Sequence, residues 1–284
     1  MFKVFSSISL IVLGMTMSTN LIAEEKEVGI HEKGSFYAFW GWNRGYYSKS
    51  DVHFRGENYD FTINDMTASD RPSAVGIHPY LNPLGMTLPQ TNFKVGYFIA
   101  DHYAISFGVD HMKYVMDQEQ TAQIDGYINV GSIHDGTYNN EGVYLGNRGE
   151  PNDDHKLGVP TLLAFEHTDG LNYINIELNR FDELHAVTPS FRISRILGAG
   201  VGGMLPRTNA TILGNDRHDQ FHFAGWGTHV KAGIEFSYNK LFFRSELKFG
   251  YIDMQDIRTT KFTADKASQH FTFTEWNILF GSYF

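Results

Sequence analysis

The chain has 284 residues, a formal net charge of −9 and no cysteine. The acidic balance argues against nucleic acid as a partner, because phosphate recognition needs a basic patch. The absence of cysteine excludes a disulfide framework, on which small exported domains often depend for their stability.

The N-terminus predicts an export signal. Lys3 gives a positive start, an apolar stretch follows, and Ala23 ends it before an acidic run. This is the pattern of a secretory signal peptide, so we expect residues 1–23 to be removed. The mature chain would then consist of a short periplasmic segment, 24–33, and one folded domain, 34–284.

Apolar and polar residues alternate along several later segments, as in strands that turn one face to lipid and the other to a lumen. The first strand, from about Phe36 to Phe54, is less regular, and its aromatic cluster is typical of an interface belt. In Phe243–Tyr251 the odd positions are mostly apolar, whereas the even ones include Arg244 and Glu246. The same alternation occurs over Asn92–Ile99, Tyr103–Asp110, Ile174–Asn179 and Gly225–Phe236.

No stretch of the mature chain is suited to a membrane-spanning helix. The longest apolar one, from about Ile196 to Leu205, is well short of the roughly 18 residues that such a helix needs. If the chain enters a membrane, it must therefore do so as a closed barrel. Gly198–Gly203 spells the G-x-G-x-x-G of dinucleotide sites, but Pro206 disfavours the helix that this motif requires. We therefore expect no nucleotide and no other cofactor.

Nine charged residues fall on the face opposite the apolar one. Four of them are basic and five are acidic, and a narrow barrel would force them to pair, because unpaired buried charge is costly. We therefore predict a lumen that is filled by salt bridges rather than an ion filter of a single sign. The nine are Lys94, Asp110, Glu177, Lys231, Glu235, Arg244, Glu246, Lys248 and Glu275.

Short and long connections alternate, as in barrels with tight periplasmic turns and long extracellular loops. The tight ones are Ala100–His102 and Tyr238–Lys240, and the long ones are about Glu57–Gln90, Asp117–Pro160, Arg207–Gln220 and Asp256–Gln269. Eight strands follow from this pattern, or ten if Thr161–His167 or Val52–Ile63 crosses the membrane separately. We expect these two pieces to extend the barrel as hairpins instead, with Asp169-Gly170 as one turn.

The last strand resembles the signal that the outer-membrane barrel-assembly machinery reads. Phe284, Phe280, Ile278 and Trp276 occupy alternate positions, with only Ser282 out of pattern. As a whole the chain resembles small Gram-negative outer-membrane barrels of the OmpA/OmpX type. The resemblance implies an all-β, antiparallel up-and-down transmembrane β-barrel in the cell outer membrane. Its partners would be outer-membrane lipids, lipopolysaccharide and, during biogenesis, the assembly machinery.

Some outer-membrane barrels trim or transfer the acyl chains of lipids, and they need a serine, a histidine and an acid at the outer rim. Ser268 and His270 lie at the start of the last strand with Asp265 nearby, and His111 falls on the apolar face of its strand. These four residues are the catalytic candidates.

His218 and His222, with Asp216, form a candidate metal site. Two histidines four residues apart can share a metal if their segment is helical. A polar surface loop explains the same residues, so we expect no bound metal.

Three functions are consistent with this sequence. The first is a structural or surface-interaction barrel with a plugged lumen, whose loops would carry out any binding of an extracellular ligand, which the sequence does not identify. The second is a lipid-modifying enzyme of the outer leaflet, of the lipid A deacylase or acyltransferase type. The third is a narrow small-solute channel, which an eight-stranded barrel disfavours because its interior is about filled by side chains.

Overall fold

The computed structural model describes residues 29–72, 90–146, 161–215 and 218–284, and within them all regular secondary structure is β. The strands are β1 (Phe36–Tyr47), β2 (Ser50–Arg55), β3 (Tyr59–Met66), β4 (Ala68–Ser69), β5 (Thr91–Ala100), β6 (Tyr103–Met116), β7 (Thr121–Ile128), β8 (Gly136–Tyr144), β9 (Leu163–Ala186), β10 (Phe191–Ile212), β11 (His218–Phe221), β12 (Gly225–Tyr238), β13 (Leu241–Arg258) and β14 (Lys266–Tyr283). None of the described segments forms a helix long and apolar enough to cross a membrane. The predicted signal peptide lies outside the described residues.

Eight of the strands close into an antiparallel ring in the order β1, β5, β6, β9, β10, β12, β13 and β14. The ring closes between its first and last strands, which pair from Tyr37 opposite Tyr283 to Tyr47 opposite Phe273. Each ring strand pairs with the next one along the chain, which is an up-and-down topology. The predicted eight-stranded barrel is therefore confirmed, and the ten-stranded alternative is wrong. Val52–Ile63 pairs beyond the ring, and Thr161–His167 leads directly into β9.

An apolar belt surrounds the outside of the ring. Successive residues of each ring strand point alternately outward and inward, so exposed apolar side chains alternate with buried polar or small ones. The belt includes Trp40, Phe93, Val95, Phe107, Ile176, Leu178, Val230, Leu247, Phe249 and Phe280. A continuous exposed band of this kind is what strands present to lipid.

The two ends of the ring differ. At one end, which we call the turn end, the chain folds back on itself in short connections after β5, β9 and β12. The last residue reaches the first strand there, where Phe284 N donates to Phe36 O at 2.9 Å. At the other end the strands continue past the belt. β9 has 24 residues and β10 has 22, whereas a membrane crossing takes roughly 9–11.

This continuation forms a lobe with a core of its own. The lobe consists of β2, β3, β4, β7, β8 and β11 together with the parts of β6, β9, β10, β13 and β14 beyond the belt. β14 pairs first with β2 and then with β1, so that β2 continues the line of β1. The lobe interior is apolar, and the Phe54 ring stacks on Phe61 at 5.3 Å and meets Phe165 edge-on at 5.5 Å between ring centroids.

The prediction of long loops is wrong where the lobe forms. The segments predicted as loops contain β3, β7, β8, β11 and the first residues of β14, and Asp169-Gly170, predicted as a turn, lies inside β9. The polar residues that suggested loops are on the outer wall of the lobe or at its hairpin ends. Their apolar neighbours, such as Phe61 and Ile124, face the lobe core.

Candidate functional site

The nine charged residues predicted to face the lumen are all buried on the inner face of the ring. They form one chain in which acidic and basic side chains alternate strictly, with successive N···O distances between 2.5 and 3.4 Å. From the turn end the order is Glu235, Arg244, Glu246, Lys231, Glu177, Lys94, Asp110, Lys248 and Glu275. We call this set the lumen chain.

Both ends of the lumen chain are carboxylates, which accounts for five acids against four bases. Neutral donors also reach these two groups, although Glu275 Oε2 accepts no hydrogen bond from the described residues. Tyr283 OH donates to Glu235 at 2.6 Å, and Asn92 Nδ2 donates to Glu275 at 3.0 Å. In the middle of the chain His229 Nε2 lies 3.0 Å from a Glu177 oxygen. Hydrogen bonds from neutral groups therefore offset part of the excess negative charge.

Aromatic rings enclose the lumen chain at the turn end. The Arg244 guanidinium lies between 4.6 and 5.4 Å from the centroids of four rings, a distance at which cation–π attraction operates. The rings are Tyr37, Phe39, Phe181 and Phe242.

The segment before β1 also enters the lumen. His31 is buried, and its Nε2 atom lies 2.7 Å from Tyr283 OH and 3.2 Å from Glu235 Oε1. Its ring packs on Phe181 with 4.7 Å between centroids. The sequence assigned 24–33 to a short periplasmic segment, and the part of it that the structure describes packs into the turn end of the barrel. No periodicity precedes β1, so alternation could not have revealed this contact.

Above the belt, several polar groups are buried in the lobe core. His167 Nδ1 lies 2.8 Å from Thr208 Oγ1, and Gln269 Nε2 donates to Ser50 Oγ at 2.8 Å and to Tyr114 OH at 2.6 Å. Burial lowers the pKa of His167 to about 4. This imidazole is therefore neutral at physiological pH.

The structure does not bring the four catalytic candidates together. Asp265 is buried and accepts a hydrogen bond from Thr260 at 2.6 Å, so it faces away from the outer wall. His111 is on β6, remote from β14 in the ring order, and its Nδ1 atom lies 2.7 Å from Asn172 Oδ1. Ser268 and His270 do lie together on the outward face of β14. Of the four candidates, the structure therefore brings together only Ser268 and His270.

Ser268 and His270 line a depression on the outer wall of the lobe with residues that sequence reasoning missed. His53 is opposite Ser268 in the pairing of β2 with β14, and Asp253 is opposite His270 in the pairing of β13 with β14. We call this the outer-wall depression, and it is lined by Asp51, His53, Arg55, Asp253, Gln255, Ser268, Gln269 and His270. Only the register of the three strands shows that these residues share a face, which no local sequence signal reveals.

The candidate metal ligands are not arranged around an ion. His218 is in β11 and His222 just follows it, so the segment is extended and the two rings do not share a helical face. His222 Nε2 instead lies 3.0 Å from Asp256 Oδ2, and Asp216 lies outside the described residues. Within the described ranges no three His, Cys, Asp or Glu side chains are grouped to hold a metal.

The predicted assembly residues face outward on β14. Trp276 and Phe280 are part of the exposed belt, Ile278 lies between them on the same face, and Phe284 is exposed at the turn end. Their role in assembly stays a prediction.

These features define the class of fold: a small eight-stranded barrel with an apolar belt outside and paired charges inside, the architecture of small outer-membrane β-barrels. In structure the chain is similar to Ail of Yersinia pestis, at 9% identity and a TM-score of 0.33 over 89% of this chain and 100% of that one. It is also similar to OprG of Pseudomonas aeruginosa, at 12% identity and a TM-score of 0.36 over 89% and 97% of the two chains. A third similar structure is Neisserial surface protein A, at 10% identity and a TM-score of 0.30 over 86% and 98%.

At these values the likeness carries no information about activity or ligand. Neither a protein-family model nor a curated protein sequence matches the chain.

Proposed function

We propose that this protein is an outer-membrane barrel with a closed lumen, and that the lobe performs its structural or surface-interaction role. The belt supports insertion into a bilayer. Because periplasmic turns of such barrels are short, the turn end would face the periplasm and the lobe the cell exterior. Export through the signal peptide 1–23 and assembly through the C-terminal strand are parts of the same proposal.

The observation that carries this proposal is the lumen chain. A conducting pore needs a path that water or ions can follow, whereas the lumen chain links six of the eight ring strands through buried salt bridges. At the turn end His31 and the aromatic rings around Arg244 pack against it, and at the other end lies the lobe core. Side chains therefore fill the interior at three successive levels, which favours a closed barrel over the narrow channel.

The lobe supports the surface role. Its core fixes the strands that carry its outer wall, and a rigid scaffold that positions exposed side chains is suited to recognition. Large apolar side chains are exposed at its hairpin ends, including Ile133 and Phe262. Lipopolysaccharide, which surrounds the extracellular part of an outer-membrane barrel, is the partner that we expect the wall to contact first.

Planar-bilayer recording of the purified, refolded protein tests the closed lumen. We expect no steady single-channel steps, whereas a porin added to the same bilayer should conduct. Steady steps from this protein would contradict the closed lumen. Fractionation of cells that express the full chain tests the location, and recovery in the soluble fraction would contradict the membrane proposal itself.

A further inference from the structure

On the outer wall of the lobe, an aspartate, a histidine and a serine of three neighbouring strands face the same way. We propose that Asp60, His53 and Ser268 form an esterase site, which removes short acyl groups from the hydroxyls of a saccharide. The inference goes beyond the proposed surface role and does not depend on whether the lumen conducts.

His53 already has the partner that a general base needs. Its Nε2 atom lies 2.7 Å from Asp60 Oδ1 across the hairpin of β2 and β3. An acid at this distance holds the imidazole in one orientation and one tautomer, and it stabilises the imidazolium that forms during catalysis. The second ring nitrogen, Nδ1, is then the atom that can accept a proton.

Ser268 stands on the other side of His53. The two residues are direct partners in the pairing of β2 with β14, which places their Cβ atoms about 4.5–5.5 Å apart. The Ser268 hydroxyl makes no hydrogen bond to another residue of the described ranges, so it can rotate toward His53. Nucleophile, base and acid thus follow one another across three adjacent strands, in the order that nucleophilic catalysis requires.

The outer-wall depression supplies the rest of the site. Arg55 is on the same face of β2 as His53, two residues further along. Its guanidinium can stabilise the negative oxygen that develops when a nucleophile adds to a carbonyl group. His270 and Asp253 lie on the opposite side of Ser268 and offer hydrogen-bonding groups to the substrate.

The reaction is a two-step hydrolysis. Ser268 Oγ adds to the ester carbonyl carbon and its proton passes to His53 Nδ1. The bond to the alcohol oxygen then breaks, and the departing alcohol takes that proton. In the second step water adds to the acyl-serine, again through His53. The carboxylic acid then leaves and the Ser268 hydroxyl is restored, so atoms and protons balance and no redox partner is needed.

The lining selects the class of ester. Ser268 is eight residues from the belt residue Trp276 along β14, or about 26 Å of strand at about 3.3 Å per residue. The depression therefore lies beyond the belt, and its lining residues are polar or charged. Within the described residues this lining provides no apolar side chain for a long acyl chain, whereas its carboxylates, the Gln255 amide and Arg55 suit the hydroxyl groups of a sugar.

The test uses the full-length protein, refolded in detergent micelles. With p-nitrophenyl acetate as the probe, we expect turnover that Ser268→Ala reduces by about 100-fold or more and His53→Gln by a similar factor. Asp60→Asn should reduce it by about 10-fold or more. A fluorophosphonate label should attach to the peptide that contains Ser268, as shown by mass spectrometry.

Thr272→Ala is the matched control, because Thr272 is on the outward face of β14 four residues from Ser268. It should keep the wild-type rate, and unchanged heat-modifiability on a gel should show that each variant is folded. A wild-type rate equal to that of Ser268→Ala, with no label on Ser268, would overturn the proposal. Loss of turnover in His270→Gln but not in His53→Gln would overturn the assignment of the base. Faster hydrolysis of the palmitate ester than of the acetate would overturn the substrate class.

Discussion

Arg244 combines two kinds of stabilisation at one buried position. Its guanidinium donates to Glu235 at 2.7 Å and to Glu246 at 3.3 Å, and aromatic rings surround it. A buried ion pair is not by itself strong evidence of stability, because desolvation offsets much of the attraction. Removal of one partner is different, since it leaves the other charge buried without compensation.

Arg244→Met should therefore destabilise the barrel by about 3–5 kcal/mol. The added change Glu235→Gln should recover part of the loss, because the uncompensated carboxylate is then gone. Urea unfolding in detergent micelles, followed by tryptophan fluorescence, measures both effects. The control is Arg180→Met, an exposed arginine paired with Asp182 at 2.9 Å, which should leave the urea midpoint close to that of the wild type because exposed ion pairs contribute little to stability. Equal losses in the two single variants would contradict the role given to the lumen chain.

His167 should make the lobe sensitive to mild acid. Burial lowers the pKa of its imidazole to about 4, against about 6.5 in an unfolded chain. Between these pH values the unfolded state binds a proton and the folded state does not. The contribution of the neutral His167 to the free energy of unfolding is therefore fully present above about pH 6.5. It decreases by about 3 kcal/mol as the pH falls to 4.

Urea midpoints measured from pH 7.5 to 4 should show this decrease in the wild type. His167→Gln, which keeps a polar side chain beside Thr208, should have a flatter profile over the same range. Parallel profiles for the two proteins would mean that other groups cause the decrease.

At the scale of elements, the lobe differs from the ring in what stabilises it. The ring has a charged interior and an apolar exterior, whereas β2, β3 and β7 have an apolar interior and a polar exterior. The lobe strands therefore follow the rule of soluble sheets, and packing of buried side chains should govern their stability.

Phe54→Ala should loosen the lobe without opening the ring. Phe54 is fully buried against Phe61 and Phe165, and truncation of a buried phenylalanine typically costs about 3–5 kcal/mol. Hydrogen exchange with mass spectrometry should show faster exchange in β2, β3 and β7 and unchanged protection in the belt parts of β12 and β13. Phe243→Ala, which alters the outer face of the ring, should leave exchange in the lobe unchanged. Faster exchange throughout the barrel in Phe54→Ala would show that lobe and ring unfold together.

The sequence predicted the ring far better than the lobe, and the reason is physical. In the ring, lipid outside and a narrow lumen inside impose a strict period of two, so every lumen-chain residue could be assigned from alternation. In the lobe, β3 also alternates, with Tyr59, Phe61 and Ile63 facing inward. Its polar outer residues and nearby turn residues nevertheless resemble those of a surface loop, because the outer face of the lobe and a surface loop are both exposed to water.

The outer-wall depression could not be predicted for a different reason. Ser268 is far in sequence from His53 and Asp60, which belong to one hairpin, and only the registers of two strand pairs bring the three together. Register depends on turn geometry and on core packing at distant positions. Alternation shows that each residue faces outward, but it does not show which outward residues are neighbours.

At the scale of the whole molecule, the absence of cysteine from the chain allows a direct test of its orientation. Lys261 is exposed in the connection between β13 and β14 at the lobe, and Lys240 is exposed in the short turn between β12 and β13. If the lobe is extracellular, a membrane-impermeant maleimide should label Lys261→Cys in intact cells. The same reagent should label Lys240→Cys only after the outer membrane is permeabilised, because that turn faces the periplasm. Labelling of Lys240→Cys alone in intact cells would reverse the proposed orientation, and labelling of neither variant in intact cells would contradict exposure of the lobe.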